Sequence, residues 1–195
     1  MPKKTILERF DISEQELTSL VDKNPSLRGI MLGYVAEQKF HDLYLNNPNI
    51  QSAVKDDDHD RKKKGDRRII YKGKAFVIEV KSLQTNTVKQ LADGRWEGKS
   101  QVDGSDRREI SFDDGTKLNT TLLKRGEFDI LCVNCFAFGG AWRFVFAKNE
   151  DLPISNYQKY TPEQQSKLIA SLVKITWPPQ SPFISDFFGL LDSMI

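Results

Sequence analysis

Cysteine is nearly absent, with two residues, Cys132 and Cys135, in a chain of 195. Two cysteines cannot build a disulfide framework, which fits a reducing compartment. Histidine is as scarce, His41 and His59 alone, so no cluster of imidazole and thiolate ligands is on offer. Glycine and proline, 12 and 8 residues, are too few for a collagen-like or low-complexity chain. No apolar run approaches the length of a membrane span, so no membrane partner is expected. Met1-Pro2-Lys3-Lys4 leads straight into polar sequence without an apolar signal core, so the expected location is cytoplasmic. No internal repeat marks a solenoid or propeller. Net charge is almost lacking too, with 29 basic and 27 acidic residues. What remains is an ordinary globular chain, 38% hydrophobic and 29% charged. Its length suits one domain with a sizeable core.

The charge becomes informative once divided. Residues 55–74 hold nine basic and five acidic side chains, an excess of four, while the rest of the chain is close to balance. This is no globally basic coat protein; it has one local positive patch.

Ser13-Glu14-Gln15-Glu16 is a capping box and predicts a first helix over 13–22. Leu27, Ile30, Met31, Tyr34, Val35, Gln38 and Leu45 recur at helical spacing, predicting a helix from about Ser26 to Leu45 that ends at Asn46-Asn47-Pro48. Residues 51–68 read as a charged loop. Arg68 to Tyr71, then Lys72-Gly73-Lys74, then Ala75 to Lys81 read as a hairpin whose second strand is buried on both faces. Turn signals at Asp93-Gly94, Asp103-Gly104 and Asp114-Gly115 bracket weaker strands near 95–102 and 107–112. Phe128 to Phe138 and Trp142 to Ala147 read as a second hairpin. Thr161-Pro162-Glu163-Gln164 opens a helix expected to run to about Ile175, and a last helix is expected near 185–194. This order of elements gives an α/β fold with a central mixed β-sheet flanked by helices.

Two charges interrupt the apolar strand. Period 2 puts Glu79 and Lys81 on one face, with Val77 beside them. Burying such a pair is costly, and a structural ion pair at a strand end accounts for it as well as a functional site does. Asp66 stands at the start of the preceding strand, where a hairpin can bring its carboxylate beside Glu79. Two carboxylates without clustered His or Cys suit a hard cation such as Mg²⁺, or Mn²⁺ in its place. Glu37 falls inside the wide apolar arc of the long helix, where a carboxylate needs a partner or a route to water.

Asp66, twelve residues, then Glu79-Val80-Lys81 resembles the PD-(D/E)xK motif of restriction-endonuclease-like nucleases. Gly33-Tyr34-Val35-Ala36-Glu37 resembles the first core helix of that superfamily, which in many members carries an acidic residue facing the site. The likeness spans about residues 26–147, with Gly65 standing where the motif has proline. It implies one nuclease domain over 1–195, with helices over 13–22 and 161–194 as additions to the core. It implies Mg²⁺-dependent hydrolysis of phosphodiester bonds in double-stranded DNA. Asp66 and Glu79 would hold the metal, with the Val80 carbonyl as a further ligand. Lys81 would position or activate water or stabilise the phosphate, and Glu37 would orient Lys81 or help to hold the metal. A restriction endonuclease is the leading expectation. A repair or junction-resolving nuclease, or a DNA-binding module without catalysis, is the alternative. A homodimer suits palindromic DNA.

Arg61, Lys62, Lys63, Lys64, Arg67 and Arg68 surround Asp66, and a basic stretch at that place suits a polyanion. Arg95, Lys99, Arg107 and Arg108, in an expected hairpin, are candidates for reading base edges, and Lys124 and Arg125 for touching phosphates. Asp56-Asp57-Asp58-His59-Asp60 is no EF-hand, because Arg61 stands where glycine is needed. His59 is a weak ligand candidate, and His41 reads as structural. Cys132 and Cys135 read as small buried hydrophobes on opposite faces of a strand, not as metal ligands.

Overall fold

The computed structural model describes residues 3–55 and 65–195. The chain forms two compact units, Met1–Val35 and Ala36–Ile195. In the first, α1 (Ile6–Phe10) and α2 (Glu14–Lys23) each begin on a capping box, Thr5 with Glu8 and Ser13 with Glu16. The second of these is the box legible in the sequence. Neither helix buries a residue. Helix α3 (Pro25–Phe40) starts on proline, which is preorganised for a first helical position. Its apolar residues Ile30, Met31, Tyr34 and Val35 are exposed, and Ala36 and Phe40 are buried.

In the second unit, α3 passes into a π-helical turn over His41–Leu45, closed by a 3.1 Å bond from the Asn46 amide to the His41 carbonyl. Five strands then make the central sheet: β1 (Ile50–Lys55), β2 (Arg67–Tyr71), β3 (Lys74–Ser82), and, after four strands that pair elsewhere, two more. Those four are β4 (Lys89–Gln90), β5 (Trp96–Gln101), β6 (Asp103–Ser111) and β7 (Lys117–Leu122). The sheet is completed by β8 (Ile130–Asn134) and β9 (Phe144–Lys148), in the order β1-β2-β3-β8-β9. Only the β3–β8 pair is parallel, so the sheet is mixed and β3 lies at its centre, as expected. After α4 (Pro162–Lys167), β10 (Leu172–Trp177) joins β5 and β4 in a three-stranded sheet, and α5 (Phe187–Asp192) follows. No helix among the described residues is long and apolar enough to cross a membrane.

Alternation along the strands feeds two cores, one on each side of the central sheet. Ile69, Tyr71, Phe76, Ile78 and Cys132 join Phe40, Phe144, Phe146 and Phe187 in an aromatic core. On the other side Leu83, Leu131, Val133, Cys135 and Val145 pack against Val173 and Ile175 from the three-stranded sheet. The two cysteines therefore serve opposite cores, as their spacing suggests. Burial raises both thiols, Cys135 to about 12, which keeps them protonated and inert.

The structure corrects three expectations. Part of the expected loop 51–68 is strand: Ile50–Lys55 pairs antiparallel with β2. Polar residues alternate there because β1 is an edge strand, so the hydrophobic signal is weak. Residues 95–108 are not one hairpin, since β5 pairs with β4 and β10 while β6 pairs with β7. Helix α4 keeps its predicted cap, Thr161 with Gln164, but stops at Lys167 instead of Ile175. Val173 and Ile175 alternate toward the core and are β-branched, and strand pairing with β5 overrides the helical spacing of Leu168, Leu172 and Ile175.

Candidate active site

The site begins with a turn. Lys72 and Gly73 both have left-handed backbones, φ 48° and 79°, as a two-residue hairpin loop requires. That turn sets Tyr71 opposite Lys74 and Arg67 opposite Ile78. Asp66 stands one residue before that last pair, at the open end of the hairpin. The Asp66 amide donates to the Ile78 carbonyl at 2.9 Å, and its carboxylate Oδ2 accepts from the Val80 amide at 2.7 Å. Gly65, which stands where the resembled motif has proline, has φ 76°. A Cβ there would lie 2.4 Å from Val77 Cγ1 and 3.1 Å from the Ile78 carbonyl oxygen. Proline cannot take that φ, and any side chain would push β3 away. The departure from the motif thus has a local backbone cause.

Glu79 is 8% exposed, and the Lys81 ammonium lies 2.6 Å from its Oε1. Their same-face spacing follows strand alternation, as read from the sequence. Burial, then the charge of Glu79, raises the Asp66 carboxyl to about 7, only partly offset by Lys81 and the Val80 amide. For Lys81, burial pulls its pKa down, but Glu79, Asp66 and Asp103 outweigh it and hold the ammonium above its ordinary value. Negative charge is therefore in excess where Asp66 and Glu79 meet. This suits a hard cation, and Mg²⁺ binds through one or two carboxylates with water and substrate oxygens completing the shell. Among the described residues no group of three or more His, Cys, Asp and Glu is gathered for one ion.

Glu37 departs from the arrangement expected of it. Its Oε2 lies 2.8 Å from the Lys55 ammonium and 4.0 Å from Arg67 Nη2. Arg67 shares the buried alternation of Ile69 and Tyr71, so this cluster lies on the aromatic side of the sheet, and Glu79 and Lys81 lie on the other. Glu37 reaches the site as a minor charge on Asp66, not as a described partner of Lys81. Lys55 is a site neighbour that sequence reasoning missed, because its strand looks like loop. Asp103 is another; a turn signal, Asp103-Gly104, hides it.

The expected DNA contacts fall into groups. Arg61, Lys62, Lys63 and Lys64, and also His59, lie outside the described residues. Arg67 is 8% exposed and turned inward rather than to a ligand surface. Arg108 makes two hydrogen bonds with the Glu127 carboxylate. Arg125 donates to the Glu150 and Leu152 carbonyls at 2.6 and 2.7 Å, holding loops together. Lys124 donates to the Ser111 carbonyl at 3.4 Å, and Arg95 pairs with Asp93 at 2.7 Å. Arg68, Lys99 and Arg107 are exposed. Asp129 is structural, accepting the Val77 amide at 2.6 Å.

No family model matches the chain, and no curated protein matches it. A solved structure of a bacterial homing endonuclease is similar, with TM-score 0.37 and 15% identity over 70% of this chain and 85% of that one. At that level the likeness says nothing about the site, whose reading rests on the geometry above.

Proposed function

We propose that the chain is a metal-dependent DNA endonuclease of the PD-(D/E)xK type. The observation that carries this is the Asp66 carboxylate held on the Val80 amide, the residue next to Glu79, with the Lys81 ammonium 2.6 Å from the Glu79 carboxylate. Asp66 and Glu79 would hold Mg²⁺, with the Val80 carbonyl as a further donor. When bound, the ion would polarise the phosphate and lower the pKa of a bound water.

The chain's own groups account for the rest. Lys81 is held protonated, so it donates rather than accepts: it orients water and offsets negative charge developing on the phosphate. For the same reason it does not serve as a general base at neutral pH. The Val80 amide fixes one oxygen of Asp66 and so aims the carboxyl. The basic excess of residues 55–74 flanks Asp66 and would draw a phosphate backbone to this place. Cleavage at defined sequences, as by a restriction enzyme, is the finer form of the proposal.

One observation favours a second reading, a DNA-binding module without catalysis. The 2.6 Å pair of Glu79 and Lys81 already neutralises two buried charges, as a purely structural pair would. Incubation with plasmid DNA in Mg²⁺ or EDTA, beside Lys81→Ala, separates the two. Cleavage that needs both Mg²⁺ and Lys81, with a loss of at least about a hundredfold in the variant, supports the nuclease. Retained binding without cleavage supports the module. Discrete fragments from phage DNA would mark a sequence-specific enzyme, and cleavage confined to branched substrates a repair nuclease.

A further inference from the structure

We propose that the cavity between the β6–β7 hairpin and residues 155–171 binds an unpaired nucleotide, with Tyr157 and Asp103 at its base and Arg107 at its phosphate. This deepens the nuclease reading and rests on it. The cavity has a volume of about 270 Å³. That is just below the usual range for small-molecule sites, roughly 300–1,000 Å³, and suits one ring system with a short polar extension.

Its lining supplies three kinds of contact that a nucleotide needs together. Tyr157 offers an aromatic surface, half exposed, with its ring edge-on to Tyr160 at a centroid distance of 4.9 Å. The Tyr160 hydroxyl is 2.9 Å from Thr120 Oγ1, which fixes that ring and makes the pair a firm platform for stacking. Asp103 presents a carboxylate whose one described hydrogen bond is a 3.3 Å contact from the Thr121 hydroxyl, leaving capacity to accept from a base amino group. Arg107 is exposed and has no described hydrogen bond or ion pair, so its guanidinium is available to a phosphate. A neutral sugar would leave Arg107 without an anion, and an apolar ligand would strand both charges.

Position gives the cavity its link to hydrolysis. Asp103 is both part of the lining and one of the charges acting on Lys81. A nucleotide lifted from the duplex into this cavity would therefore meet a carboxylate whose charge also acts on Lys81. Extrusion is least costly where a base already lacks a partner.

The test compares two fluorescent duplexes of one sequence, fully paired or carrying a single bulged cytosine, bound by the full chain in EDTA and followed by anisotropy. The bulged duplex should bind at least about tenfold more tightly. Tyr157→Ala and Asp103→Asn should remove that preference, Tyr157→Ala should leave the paired duplex unaffected, and Tyr157→Phe, which keeps the ring, should retain it. Deoxycytidine monophosphate at millimolar concentration should compete for the bulged duplex, whereas deoxyribose 5-phosphate should not. Equal affinity for the two duplexes, or a preference that survives both Tyr157→Ala and Asp103→Asn, overturns the cavity's role but leaves the nuclease reading standing. Failure to bind either duplex overturns both.

Discussion

Asp66 keeps its proton to about pH 7, three units beyond an ordinary aspartate, because it is buried and faces Glu79. Between the usual carboxylate range and pH 7 the folded protein therefore holds a proton that the unfolded chain has released. Its contribution to stability is full below about pH 4 and is lost as pH rises to 7. In EDTA, urea midpoints should fall between pH 5 and 7 and level off above, and Asp66→Asn should flatten that slope. A divalent cation competes with the same proton, so its affinity should rise with pH over this window. Calorimetry in two buffers of different ionisation enthalpy would read the proton released on binding. At this scale the sequence was informative where period 2 applies: Glu79 and Lys81 share a face as expected. The partners of Glu37, Lys55 and Arg67, were not legible, because helical position alone does not say which side of a sheet a helix covers. Phe40, one turn further on, lies in the aromatic core and carries Glu37 with it toward Arg67.

The hairpin of β2 and β3 shows how an element can depend on one missing side chain. Gly65→Ala must both adopt a left-handed backbone and displace Val77 or the β3 carbonyl. A loss of about 1–3 kcal/mol in stability is expected, measured by urea denaturation. Nicking activity should fall further than the loss of folded protein explains, because the same displacement moves Asp66 off the Val80 amide. Elements with nearly continuous apolar runs, β3, β8 and β9, were legible, and so were the capping boxes of α2 and α4. Four strands were not, β1, β4, β7 and β10. β1 is a polar edge strand whose partner supplies its order, and β10 has residues that satisfy a helical and a strand period at once. Only pairing with β5 decides the second case, and pairing is a long-range fact.

Across the whole molecule a net charge of +2 hides a concentrated field. DNA affinity should fall with salt, with the slope set by the few phosphates that meet the 55–74 excess and the exposed Arg68, Lys99 and Arg107. Replacing Lys62, Lys63 and Lys64 together by alanine should reduce that slope by about 2–3 in a plot of log affinity against log salt, as read by anisotropy titration. An unchanged slope would place the phosphate contacts elsewhere. Several cations named from the sequence fasten loops or carboxylates instead, as Arg108 and Arg125 do, since sequence shows charge but not its partner.

The pairing of β2 with β3 carries an evolutionary consequence. The alternation that turns Ile69 and Tyr71 into the aromatic core also leaves Asp66 on the side of Glu79. A slip of one residue would turn Ile69 and Tyr71 out to water at the same moment that it parted the two carboxylates. Selection for a folded chain thus preserves the alignment of the acids without acting on them. A chain can stay folded through replacement of Asp66, Glu79 or Lys81 themselves, but not through drift in strand alignment.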